Sequence, residues 1–104
     1  MTGDELLEEV KVRIGVTGNY QDGVIRGHIQ DVKDFMSDAG VSAKTMESEA
    51  IIGAVARGVS DLWDYGSGNG KFSPYFFQRV IQLAVRKEAA PNGFLLTSTV
   101  YNAD

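Results

Sequence analysis

The sequence predicts an all-α fold, a small four-helix bundle-like domain with a non-helical C-terminal tail. Three observations carry that prediction. Apolar residues recur at spacings of three and four through most of the chain. The periodic stretches are punctuated by glycine-rich or proline-containing breaks. The chain has 104 residues, 43% of them hydrophobic and 23% charged, which suits one ordinary core. Residues 1–91 are read as the helical domain and residues 92–104 as an extended or flexible tail.

The first helix is predicted over residues 4–14, with Thr2 or Asp4 as its cap. Asp4, Glu5, Glu8 and Glu9 sit near its positive dipole end, and Leu6, Leu7, Val10 and Ile14 form its apolar face. Gly15 ends it. After the turn cluster Thr17-Gly18-Asn19, a second helix runs from residue 20 or 21 to residue 39, closed by Gly40. Val24, Ile25, His28, Ile29, Val32, Phe35 and Met36 make its stripe, opposed by Asp22, Arg26, Asp31, Lys33 and Asp34. Gly23 and Gly27 each cost about 1 kcal/mol against alanine inside a helix, so they are expected to admit a close neighbour.

A connector, 41–45, leads to a third helix predicted over 46–64, with Ser42 or Thr45 as caps. Ala50, Ala54 and Gly58 form a smooth ridge at a strict spacing of four, suited to tight helix packing. Three glycines within Tyr65-Gly66-Ser67-Gly68-Asn69-Gly70 then forbid regular structure. Ser73-Pro74 starts a fourth helix, as N-cap and first helical residue, expected to run to about residue 87. Phe76, Phe77, Val80, Ile81, Ala84 and Val85 are its apolar side. Ala90-Pro91-Asn92-Gly93 breaks the chain again, and residues 94–100 are rich in apolar and β-branched types. One strand forms no sheet alone, so this tail either packs as an arm or pairs with another chain. The predicted core is Leu7, Val10, Ile25, Ile29, Val32, Phe35, Ile51, Val55, Val59, Leu62, Trp63, Phe77, Val80, Ile81 and Ala84.

Composition narrows the function classes. The chain has no cysteine, which excludes thiolate metal sites and thiol chemistry and favours a reducing compartment. No apolar run approaches the roughly 20 residues that span a bilayer, and the acidic N-terminus lacks the features of a signal peptide. A cytoplasmic protein with no membrane partner is expected. Net charge is −4, and a dedicated nucleic-acid binder usually carries a basic patch. The charge is uneven: residues 1–69 hold 12 acidic and 6 basic residues, while residues 70–104 hold 2 and 4. Such halves either complement each other between subunits or form an ordinary solvated surface.

The motifs for chemistry are weak. Gly66-Ser67-Gly68-Asn69-Gly70-Lys71 departs from a phosphate loop, whose second glycine lies five positions after the first and whose lysine is followed by Ser or Thr. Here Gly66 lies four positions before Gly70, Lys71 is followed by Phe72, and a helix precedes the loop. A connecting loop is the better reading. His28, the only histidine, lies on an apolar stripe and reads as a packed residue. Asp31, Asp34 and Asp38 share a helix face and read as solvated acids rather than a cation site. No catalytic order of Ser, His and Asp is recognisable, so neither an enzyme nor a cofactor is expected. The aromatic residues around the glycine loop, Trp63, Tyr65, Tyr75, Phe76 and Phe77, serve a core, an interface or both.

The phrases LLEEVKVRIGVTGNYQDGVIRGHIQDVKDFMSDAGV and ARGVSDLWDYGSGNGKFSPYFFQRVIQLAV resemble the two halves of phage head–tail connector (adaptor, head-completion) proteins, a family also found in prophages. The resemblance spans about residues 6–85. It implies a helical subunit without catalysis that forms a ring, typically dodecameric, on the portal. The implied partners are further copies of the chain, the portal protein, a tail-side completion or stopper protein, and DNA passing without sequence specificity. The implied location is the cytoplasm of the bacterial host during assembly, then the virion neck. Loops and the C-terminal segment make portal and neighbour contacts in that family, so the candidate interface is Gly66, Ser67, Gly68, Asn69, Gly70, Lys71, Tyr75, Phe94, Leu95, Leu96 and Tyr101. A ring uses head-to-tail interfaces, in which two different surfaces meet, and an acidic front and a basic rear would complement each other in that geometry. A net acidic wall also leaves passing DNA free to slide. A small helical regulatory or protein-binding adaptor is the alternative.

Overall fold

The computed structural model describes residues 1–63 and 70–86. Every regular element there is helical: α1 (Gly3–Ile14), α2 (Asp22–Asp38), α3 (Ala43–Met46), a 3-10 turn (Glu49–Ile51), α4 (Ile52–Leu62) and α5 (Pro74–Ala84). The four longer helices make the bundle-like core, and α4 is its centre, packed against α1, α2 and α5. Among the described residues no helix is long and apolar enough to cross a membrane.

Local chemistry sets the helix ends. Thr2 and Glu5 form a capping box: Glu5 N–H donates to Thr2 Oγ1 at 3.0 Å, and Thr2 N–H donates to Glu5 Oε1 at 2.8 Å. That second bond, before any other influence, holds the Glu5 carboxyl below its ordinary value. Gly15 closes α1 in the left-handed region at φ 78°. Lys11 is buried on the last turn of α1, and its Nζ lies 2.7 Å from Asp22 Oδ1 at the first residue of α2. The pair fastens the α1–α2 corner, and the aspartate also suits a helix N-terminus.

The long third helix expected over 46–64 is divided. Ser42 Oγ accepts from Thr45 N–H at 3.1 Å and starts α3 early, inside the expected connector. Ser48 Oγ then donates to the Thr45 carbonyl at 2.7 Å and accepts from Ala50 N–H at 3.2 Å. Serine side chains thus offer the backbone local partners that compete with a continuous helix. The apolar periodicity survives the break because Ile51 and Ile52 still turn inward.

The small-residue ridge of α4 lies against α2 and α5. A Cβ built on Gly58 would meet Val32 Cγ2 at 2.8 Å, Val32 Cγ1 at 2.9 Å and Phe76 Cε1 at 2.8 Å. Three helices therefore converge at a position that only glycine fits. The expectation for Gly23 and Gly27 fails: both are exposed, with nothing within 4 Å of an added Cβ. They sit on the outer side of α2, where no helix among the described residues approaches.

The core holds Leu6, Leu7, Val10, Ile25, Ile29, Val32, Met36, Val41, Ile51, Ile52, Val55, Val59, Trp63, Phe76, Val80 and Leu83, among others. Phe35, Leu62 and Ala84 pack against it half-buried. Phe77 and Ile81 do not belong to it, at 42% and 62% exposure. Helix α5 carries apolar residues over more than half its circumference, and only one arc can face α4. Phe76, Val80 and Leu83 take that arc, which turns Phe77 and Ile81 outward. α5 also ends at Ala84, short of the predicted residue 87.

Two measurements follow from this packing. Gly58→Ala is expected to destabilise the fold by about 1–3 kcal/mol through overpacking, whereas Gly27→Ala stabilises it by about 0.5–1 kcal/mol through helix propensity; urea unfolding of the two variants reads both signs. Glu5 contributes stability that is present above its unfolded value and is lost as pH falls through its lowered folded value. Glu5→Gln is therefore expected to flatten the acid limb of the melting temperature against pH profile.

Candidate interaction surface

The end of α4 and the start of α5 are tied together by Asp61. This aspartate is buried in the last turn of α4. Its Oδ2 accepts from Ser73 N–H at 2.9 Å, and its backbone carbonyl accepts from Gly70 N–H at 2.9 Å. Ser73 in turn caps α5, its Oγ accepting from Phe76 N–H at 3.3 Å. One residue thus anchors the segment that enters α5, through its side chain and its backbone carbonyl. Arg57 Nη1, 3.8 Å from Asp61 Oδ1, adds a long, half-exposed ion pair of little weight. Sequence reading gave Asp61 no role, and its position at the edge of the loop was the available signal.

Behind that anchor, Phe35, Phe72, Phe76 and Phe77 form an aromatic cluster. Phe72 stacks on Phe76 with centroids 4.3 Å apart, and Phe35 tilts against Phe72, Phe76 and Phe77 at 5.2, 5.7 and 5.7 Å. Phe77 is the outermost ring of the four. Its exposed edge continues into Tyr75, Ile81 and Val85, which are 72%, 62% and 52% exposed. Phe77, Ile81 and Val85 are spaced by four, so they form one stripe along the outside of α5. A shallow groove lined by Pro74, Tyr75, Phe77, Gln78 and Ile81 runs along it. From residue 70 to residue 86 the formal charges are Lys71, Arg79 and Arg86, with no acid.

A second, polar groove lies between α1 and α4. Arg13, Ile14, Gly53, Ala56, Arg57 and Ser60 line it. Its cations went unremarked in the sequence because they stand on different helices. Among the described residues Arg13 makes no ion pair, and Arg57 makes only the long one with Asp61.

Of the candidate interface, Gly70, Lys71 and Tyr75 are exposed and lie at or next to the start of α5. Gly66, Ser67, Gly68, Asn69, Phe94, Leu95, Leu96 and Tyr101 lie outside the described residues. His28 is half-buried and makes no side-chain hydrogen bond among the described residues. Asp31, Asp34 and Asp38 are all exposed, and Asp34 accepts a bond from Gln30 Nε2 at 2.8 Å. Among the described residues no three His, Asp or Glu side chains gather as a metal would require. Trp63 is buried at the end of α4, and its indole N–H finds no acceptor among the described residues.

No protein-family model matches the chain, and neither the curated proteins nor the solved structures contain a significant match to it.

The two faces of α5 should respond differently to substitution. Leu83→Ala on the inner arc is expected to cost about 2–5 kcal/mol, and Ile81→Gln on the outer stripe less than about 1 kcal/mol. Chemical denaturation of the pair checks which arc belongs to the core.

Proposed function

We propose that the chain is a structural assembly subunit, a phage head–tail connector that forms a ring on the portal and extends the DNA channel toward the tail. The observation that carries the assembly reading is the outer stripe of α5, where Tyr75, Phe77, Ile81 and Val85 expose large apolar side chains on a fully formed helix. Apolar residues gathered in this way mark interaction surfaces more often than scattered ones do. The connector reading adds the resemblance of the two sequence phrases to that family. It also draws on the acid-free stretch around α5 set against the acidic remainder of the chain.

In this reading the partners are neighbouring copies, the portal protein and a tail-side completion protein, with DNA passing through the ring without sequence recognition. The subunit has no catalytic step and no cofactor. Its α5 face supplies the apolar part of the contact, and Arg79 and Arg86 on its margin select an acidic neighbour. A protein-binding adaptor would use the same stripe, so the portal distinguishes the two.

The test is electron microscopy of the protein mixed with its candidate portal. Ring-shaped density added to the portal is expected, and Ile81→Glu in an otherwise folded subunit should abolish it. Absence of any association between wild-type subunit and portal would remove the connector reading. Salt-sensitive binding of duplex DNA by the isolated subunit would favour a regulatory module.

A further inference from the structure

The groove between α1 and α4 has no part in the assembly reading, and its lining needs an explanation of its own. We propose that it binds a dianionic phosphate group, carried on a small organic monoester or free in solution. This inference rests on the groove alone, and not on the α5 stripe or the connector reading.

Two helices build the site. Arg13 stands in the last turn of α1, and Gly53, Ala56, Arg57 and Ser60 recur on α4 at the spacing of one helix face. The two arginines thus line one cavity, of about 370 Å³, from different elements. That volume falls within the range of small-molecule sites. The lining between the arginines is small. Glycine is a poor helix residue, and no packed neighbour explains Gly53: an added Cβ would meet nothing within 4 Å. The open space there is what a ligand would fill.

The charge in the groove is unspent. Among the described residues Arg13 makes no ion pair. Arg57 reaches only Asp61 Oδ1, at 3.8 Å, too long for a hydrogen bond. The other oxygen of that carboxylate is held by Ser73 N–H at 2.9 Å. Arg13 does suit the negative end of α1, but this accounts for one arginine and not for the pair.

The donor set selects phosphate over carboxylate. A carboxylate is planar, and one guanidinium fork satisfies it. A phosphate monoester carries up to two charges and three strong acceptor oxygens. It can therefore take two guanidiniums from different helices, and the half-buried hydroxyl of Ser60 as a further donor. The two arginine charges also match the dianion. Ile14, in the same lining, gives an apolar wall against which the organic part of a monoester can lie.

Amide proton–nitrogen correlation spectra of the full chain test the site. The probes are inorganic phosphate, phenyl phosphate and acetate, at ionic strength held constant with sodium chloride. Both phosphates are expected to give saturable shifts gathered at Arg13, Ile14, Gly53, Arg57 and Ser60. Arg13→Gln and Arg57→Gln, both at exposed positions, should each weaken phosphate binding about ten-fold or more and leave the rest of the spectrum unchanged. Gly53→Leu fills the open space and should abolish the shifts in a folded chain. Tighter binding of phenyl phosphate than of inorganic phosphate assigns the site to an organic monoester; equal or weaker binding assigns it to free phosphate. The proposal is overturned if neither phosphate gives saturable shifts, or if affinity is unchanged in both arginine variants. Acetate binding as tightly as phosphate would also overturn it, and would assign the groove to a carboxylate.

Discussion

The architecture depends on one missing methyl group. Gly58 lets α4 approach the Val32 methyls of α2 and the ring of Phe76 on α5 so closely that a Cβ would sit 2.8–2.9 Å from both. Packing at interior density leaves no room to relax there, because a valine side chain is stiff and the ring is fully buried. α2 and α5 are thereby brought onto neighbouring sides of one helix. The central place of α4 in the bundle follows from that contact.

The same contact settles which way α5 turns. With Phe76 held against Gly58, Val80 and Leu83 follow it inward along the helix. Phe77, Ile81 and Val85 are then rotated out, however apolar they are. Asp61 strengthens this choice by fixing the chain just before α5 through Gly70 and Ser73. The outer stripe is therefore a consequence of how the core is built. It leaves large apolar side chains exposed along one side of an otherwise ordinary helical domain.

Much of the fold was legible because helix signals are local. The Thr2–Glu5 capping box, the left-handed Gly15, the Ser73-Pro74 start and the stripes of α1 and α2 all stand in the sequence within a few residues of what they control. The division of the third helix was not read, because Ser42 and Ser48 act through side-chain bonds that compete with a strong apolar period. The neighbour expected for Gly23 and Gly27 rests on the propensity cost of glycine in a helix, and the core place of Phe77 and Ile81 on the apolar composition of a face. Which face meets which helix is a tertiary fact, set here by Gly58. Lys11 and Asp61 were missed for a related reason, since their partners Asp22 and Ser73 lie beyond the helix that carries them. Of the candidate interface, Tyr75 was legible as an aromatic beside the glycine loop. The rest of the stripe was hidden by its resemblance to core.

The most direct test of this account is a methyl NOESY spectrum of the full chain. Cross-peaks should join the Val32 methyls to the Gly58 α-protons and to the Phe76 ring, while the Ile81 δ1-methyl shows none to Val32, Val55 or Val59. An Ile81 methyl found among those core valines, with Gly58 remote from Val32, would contradict the account.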